Sequence, residues 1–282
     1  MKGPPKGLTT PGREAELAVR AARQEERRLS FDAAAEAYDE YRQGYPDALF
    51  EALSARVPPP ARVLEIASGT GQATLPLAQR GYQLRCVELG EKQAAVARKK
   101  LANHPNVQID IGRFEEAEVA PDSADLAVCA SAFHWLHHAR ALPRIATALR
   151  PSGLLALLWT SPPHEAADPF AIAAQPIYLR HAHELLAVRT RESAPARMSR
   201  AIPGVLLGSA VFTDCTQQEF RFQRTLSTRS FLGLLGTYSN YLTLAAETRA
   251  ALFAELGELL ERQFGGSLTL DFRSVLQLAR RR

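Results

Sequence analysis

Residues 63–74 read VLEIASGTGQAT, a short apolar and β-branched run that breaks into small residues and then recovers helical character. A strand-to-helix turn built this way lets a ligand approach the backbone and lie over the exposed N–H groups that open the helix. A dinucleotide fingerprint needs a third glycine for close helix packing. Counting from Gly69, that place is taken by Thr74. No Gly-Lys-Ser/Thr follows the loop, which excludes a Walker-type phosphate site.

Outward from this turn the chain alternates strand and helix. Strands are expected at 62–66, 83–88, 107–110, 124–130 and 153–160, with helices at 72–80, 91–102 and 139–149 between most of them. Most of these strand runs are apolar without alternation, as strands covered on both faces are. The order predicts an α/β, Rossmann-like, doubly wound and mostly parallel sheet. Near the end of the chain QEFRFQRTLS (218–227) and LTLDFRSVLQL (268–278) alternate with period two, and they predict an antiparallel pairing at the sheet edge. Residues 162–217 read as a helical insertion.

Before the glycine turn, Phe31, Tyr38, Tyr41 and Tyr45 recur at helical spacing and predict one aromatic face, broken at the pre-proline Tyr45. The chain has 282 residues, 46% hydrophobic and 23% charged, enough for a full core. No apolar leader and no membrane-length run is present, and Cys86, Cys129 and Cys215 show no CxxC spacing. A cytoplasmic protein with reduced thiols is the expectation. The net charge of +4 is carried largely by arginines whose clusters read as solvated faces, so a nucleic-acid partner is not indicated.

Glu88 ends the second expected strand in RCVELG. An acid there can take both ribose hydroxyls of an adenosine, a role shared by NAD and S-adenosylmethionine sites. With that residue in place, VLEIASGTGQAT, CVELGEKQAAVARKKL, VQIDIGRFEEAEV, ADLAVCASAFHWL and ALRPSGLLALLW resemble, in order and spacing, the motifs of class I S-adenosylmethionine-dependent methyltransferases. The resemblance spans about residues 31–280. It is nearest the small-molecule methyltransferase type 11 or trans-aconitate methyltransferase-like branch, through YDEYRQGYPDAL (38–49) and GLLGTYS (233–239).

The resemblance implies S-adenosylmethionine as cofactor and gives each segment a task. Residues 1–28 are a flexible or helical extension and 29–282 one domain, with lid helices at 31–60, the cofactor core at 61–160, a helical insertion at 161–217, and edge strands with a helical addition at 218–282. Glu65 with Ala67, Ser68, Gly69 and Gly71 would line the methionine part, and Glu88 with Leu89 the ribose. Arg113 and Phe114 of GRF would flank adenine, and Ala130 and Ser131 would face its amino group. Arg42 would meet the cofactor carboxylate, with Tyr38 and Tyr45 closing over the methyl end. Two positions depart from the family pattern. Ala67 replaces a glycine, which costs about 1 kcal/mol or more if its φ is positive, and Arg113 stands where many members carry an acid, leaving Glu115 or a carbonyl as acceptor.

Methyl transfer from a sulfonium needs no metal, and no pair of residues has metal-site spacing. The seven histidines include FHWLHH (133–138), just after the fourth expected strand, where His134 is placed to face the crevice as a general base or an orienting group. His137 and His138 are expected as solvated caps of the next helix. Trp135 and Tyr238 are candidates for the acceptor pocket, and Ser131 lacks the GxSxG turn of a hydrolase. The expected reaction is methylation of a small organic acceptor. A nucleic-acid or protein methyltransferase and a non-catalytic cofactor-binding module are the alternatives.

Overall fold

Arg62–Ile66 forms β1 at the centre of the sheet, flanked by β2 (Gln83–Glu88) and β4 (Ala124–Ala130), both parallel to it. The computed structural model describes residues 30–161, 168–189, 202 and 204–282; the expected extension over 1–28 and residues 162–167, 190–201 and 203 of the expected insertion lie outside them. Among the described residues the strands form one seven-stranded sheet of order β3-β2-β1-β4-β5-β7-β6, with β3 at Val107–Ile111, β5 at Leu149–Ser161, β6 at Phe212–Ser227 and β7 at Ser267–Arg281. The strand order reverses between β1 and β4, and in open α/β sheets ligands bind beyond the strand ends at that point.

The helices follow from what each face must cover. On one face α2 (Asp47–Arg56), α3 (Thr74–Gln79) and α4 (Glu91–Lys100) bury Leu49, Phe50, Leu53, Leu77 and Ala97 against Val63, Leu84 and Leu126. On the other, α5 (His138–Ala148) lays Leu142 and Ile145 over Leu64, Leu155 and Leu157. A third core joins α6 (Pro169–His181) and α7 (His183–Arg189) to α8 (Thr228–Gly236), α9 (Ser239–Leu242) and α10 (Ala246–Phe264), through Phe170, Tyr178, Phe231, Tyr241 and Leu256.

Three expectations are corrected. The loop after β1 runs to Ala73, so α3 starts two residues late. The edge strand β6 begins at Phe212 rather than 218, because a register shift between Thr213 and Thr216, with Asp214 at φ 50°, breaks the alternation that would have announced it. The antiparallel pairing expected at the sheet edge is present, with β7 antiparallel to β5 and β6 outside it. The aromatic face is not continuous. Ala34, at φ −107° and ψ 18°, interrupts the helix before α1 (Ala35–Tyr41), and Arg42 is already extended. Tyr38 turns toward Phe31, at 6.0 Å between ring centres, while Tyr41 lies on α8 at Gly233, where a Cβ would come within 2.5 Å of its ring.

Asp125 pins the sheet at the other end of β1 and β4. Its carboxylate accepts from the Arg62 amide at 2.9 Å, from Arg62 Nε and Nη2 at 3.1 Å, and from Arg150 Nε at 2.8 Å. The Arg62 hydrogen bonds hold its pKa down at about 2. A depressed carboxylate stabilises the fold above its unfolded pKa and loses that contribution as pH falls through the folded one. Both arginines are half exposed, so solvent screening reduces the effect to about 1 kcal/mol. Asp125→Asn should therefore lower unfolding free energy by about that amount at pH 7 in urea titrations. The gap to the parent should close between about pH 4 and pH 2, whereas a pH-independent gap would remove the ionic account.

Candidate functional site

The β1 turn makes a cradle. Ala67, Gly69 and Gly71 have φ of 55°, 58° and 84°, so the chain coils left-handed three times in five residues. Ala67 thus pays the strain that its methyl group brings to this region. Ser131, at the end of the adjacent β4, is also left-handed at φ 54°. Strain at the ends of both strands flanking the switch point is the pattern of a functional site.

Glu88 holds the cradle in place. It is 5% exposed, and its Oε2 accepts from the Gly69 amide at 2.7 Å while Oε1 accepts from the Gly90 amide at 2.8 Å. Leu89 follows it, half-buried. A carboxylate offers about four acceptor sites, so it can hold two loop amides and a diol together. Deeper in the turn Glu65 is 1% exposed, with Oε2 receiving only the Cys86 thiol at 3.6 Å. Burial raises its pKa to about 7; Thr74 and Cys86 oppose the rise, and Glu88 adds to it. Glu65 Oε1, Ser68 Oγ, Thr70 Oγ1 and Thr74 Oγ1 are buried with no hydrogen-bond partner among the described residues. Buried polar atoms left open together at a glycine cradle fit a ligand rich in donors and acceptors, such as the amino-acid end of S-adenosylmethionine.

The N-terminal segment covers this cradle through contacts that no local pattern announces. Asp32 Oδ1 accepts from the amides of Lys92 and Gln93 at 2.8 and 3.1 Å, capping α4 from 60 residues away. Gly90 is required beneath it, since a Cβ there would lie 2.6 Å from Asp32 Oδ1. Gln72 Nε2 donates to Asp39 Oδ1 at 3.3 Å, and Lys100 Nζ pairs with the same oxygen. Tyr45 OH bonds Ser131 Oγ at 2.8 Å, and burial pushes the Tyr45 phenol well above its ordinary pKa. Between the N-terminal segment and the sheet a cavity of about 20 Å³ remains, lined among others by Tyr38, Arg42, Tyr45, Ser131, Thr160 and Tyr238. A larger space of about 340 Å³ lies at the opposite end of the strands, against Arg62, Gln83 and Gln108, away from the switch point.

The remaining expected residues fall in different places. Trp135 is edge-on to Phe31 at 5.7 Å, and His134 is tilted against Trp135 and Trp159 at 4.5 and 5.8 Å. Burial among these rings, with His138 and Arg42 nearby, pulls the His134 pKa down to about 4. Phe114 is 2% exposed and packed in the core, and Glu115 Oε1 accepts from the His137 amide at 2.9 Å. Ala130 ends β4 in register with Leu158. His138 is not a solvated cap. It stacks on Phe133 at 4.6 Å and its Nε2 bonds the Phe133 carbonyl at 3.0 Å.

The profile of a methyltransferase domain matches residues 64–157, from within β1 across the glycine cradle into β5. The protein is an S-adenosylmethionine-dependent methyltransferase. It is 28% identical over 233 residues to an uncharacterized methyltransferase of Mycobacterium tuberculosis, covering 82% of this chain and 86% of that one. It is 35% identical over 108 residues to a trans-aconitate 2-methyltransferase of Deinococcus radiodurans, covering 37% of this chain and 41% of that one. An Anaeromyxobacter dehalogenans structure, proposed to be a type II methyltransferase, has the same fold, with TM-score 0.61 and 24% identity over 85% of this chain and 98% of that one. S-adenosylmethionine is the cofactor of this methyltransferase. Among the described residues no helix is long and apolar enough to cross a membrane.

The Glu65 carboxyl sets a pH dependence for the free methyltransferase. Its folded pKa of about 7 exceeds the ordinary value of 4.5, so its contribution to stability is complete below the unfolded pKa and is lost as pH rises to 7. Between about pH 5 and pH 8 the parent should lose on the order of 2 to 3 kcal/mol relative to Glu65→Gln. Parallel stability–pH curves for the two proteins would mean that Glu65 is not buried as a neutral acid.

Proposed function

We propose that the methyltransferase acts on a small organic acceptor enclosed between the lid and the carboxyl ends of β1, β4 and β5. The observation that carries this reading is the narrow cleft: about 20 Å³ lined by tyrosine, arginine, glutamine and hydroxyl side chains, with the N-terminal segment and the C-terminal addition meeting at it. A protein segment or nucleic-acid strand needs an open groove. A small acceptor needs enclosure, which removes water and holds the reacting atoms in line.

S-adenosylmethionine, when bound, supplies a methyl group on a sulfonium that is open to in-line displacement. In this reading Glu88 takes the ribose hydroxyls, while Glu65 and the Ala67–Gly71 cradle hold the methionine part. Arg42 meets the carboxylate. Arg113 and Phe114 serve adenine through the backbone, since the Phe114 ring is committed to the core. Tyr38 and Tyr45 present their rings to the cationic end, where aromatic faces favour positive charge. Trp135 and Tyr238 border the acceptor. The cavity is far smaller than the several hundred Å³ that cofactor-sized ligands occupy, so residues 31–50 open to admit them.

His134 orients the acceptor in this account. An imidazole held at about pKa 4 is neutral near pH 7 and accepts a proton poorly there. Proximity carries the rate.

An acceptor panel read by S-adenosylhomocysteine release and a mass gain of one methylene tests the proposal. Turnover of a small molecule is expected; turnover confined to protein or nucleic acid would overturn it. With that acceptor, His134→Gln should lower kcat less than about tenfold and leave the pH 6 to 9 profile unchanged, whereas obligatory base catalysis costs about a hundredfold or more. A loss of that larger size would restore the base.

A further inference from the structure

Arg42 enters the cleft from the lid, but the groups that fix its direction belong to the C-terminal addition. Its Nε donates to Thr237 Oγ1 at 2.8 Å and its Nη2 to the Thr237 carbonyl at 3.0 Å, across 195 residues of sequence. Thr237 is 0% exposed and caps α8, with its own hydroxyl donating to the Leu234 carbonyl at 2.6 Å. The cation therefore docks at a helix carboxyl end, where the helix dipole favours positive charge. The Tyr38 and Tyr238 rings bracket the guanidinium at 5.0 and 4.1 Å from its central carbon.

These contacts remove the rotamer freedom of a long side chain before any ligand arrives. They are all neutral, and Arg42 makes no ion pair among the described residues. Among the described residues the cavity it lines contains no carboxylate, and Gln43 Nε2, a second donor in that lining, is buried without a hydrogen-bond partner. A fixed cation beside an unmatched donor is preorganised for an anion with two oxygens.

We propose that Thr237 is the positioning residue that aims Arg42 at the carboxylate of the cofactor's methionine part, so the GLLGTYS element contributes to cofactor recognition without touching the cofactor. The proposal rests on the reading of Arg42 given above. Three variants separate the two. Calorimetry with S-adenosylhomocysteine and with 5′-methylthioadenosine, which lacks the amino-acid group, is run on Arg42→Met, Thr237→Val and Thr237→Ser, with melting temperature as the check on folding.

Thr237→Val should weaken S-adenosylhomocysteine about tenfold or more, the lower end of the scale of one hydrogen bond to a charged group, and leave 5′-methylthioadenosine affinity unchanged. Thr237→Ser, which keeps the hydroxyl, should bind like the parent. Loss in Arg42→Met but not in Thr237→Val overturns the role of Thr237 alone. Equal S-adenosylhomocysteine affinity in Arg42→Met and the parent overturns the Arg42 reading and this inference with it. Equal weakening of both ligands in Thr237→Val, or failure of Thr237→Ser to restore binding, assigns Thr237 to packing and also overturns the proposal.

Discussion

One carboxylate organises the loops at the ends of β1 and β2. Glu88, at the tip of β2, accepts from the Gly69 amide of one loop and the Gly90 amide of the next, and so locks together the two turns that leave the centre of the sheet. The left-handed course of Ala67, Gly69 and Gly71 is held from outside by that anchor, and Glu65 Oε1, Ser68 Oγ and Thr70 Oγ1 are buried without hydrogen-bond partners among the described residues. A loop so strained and so short of internal bonds is costly in isolation. Its shape becomes intelligible as one prepared for a ligand.

The N-terminal segment depends on the same anchor at one remove. Asp32 reaches the helix that begins just beyond Gly90, and the absence of a side chain at Gly90 is what lets it approach. From there Asp39, Tyr41, Arg42 and Tyr45 find partners on three elements: Asp39 on α4, Tyr41 and Arg42 along α8 and at its end, and Tyr45 at the end of β4. Many modest contacts spread over several partners can be broken and remade together. A deep hydrophobic seam would resist opening.

The core of the fold was legible because parallel strands covered on both faces leave unbroken apolar runs, and β1, β2 and β4 match the expected bounds. The cradle and Glu88 were legible from spacing, since turn glycines and an acid at the next strand end are local features. What escaped is non-local or irregular. The start of β6 was hidden by its bulge, and His138 folds back on Phe133 where a solvated cap was expected. Asp32, Gln43 and Thr237 act across long sequence separations or as orphan donors, and nothing in their neighbours marks them. The strain at Ala67 was conditional on a dihedral that composition does not reveal; it is left-handed, at φ 55°.

The most direct test of this account is calorimetric titration of Glu88→Ala with S-adenosylmethionine. The account predicts a native-like circular dichroism spectrum and an affinity lowered by about 1.5 to 3 kcal/mol, because a charge-assisted contact and the anchor of the cradle are lost together. Affinity equal to that of the parent would contradict it and take the cofactor away from the end of β2.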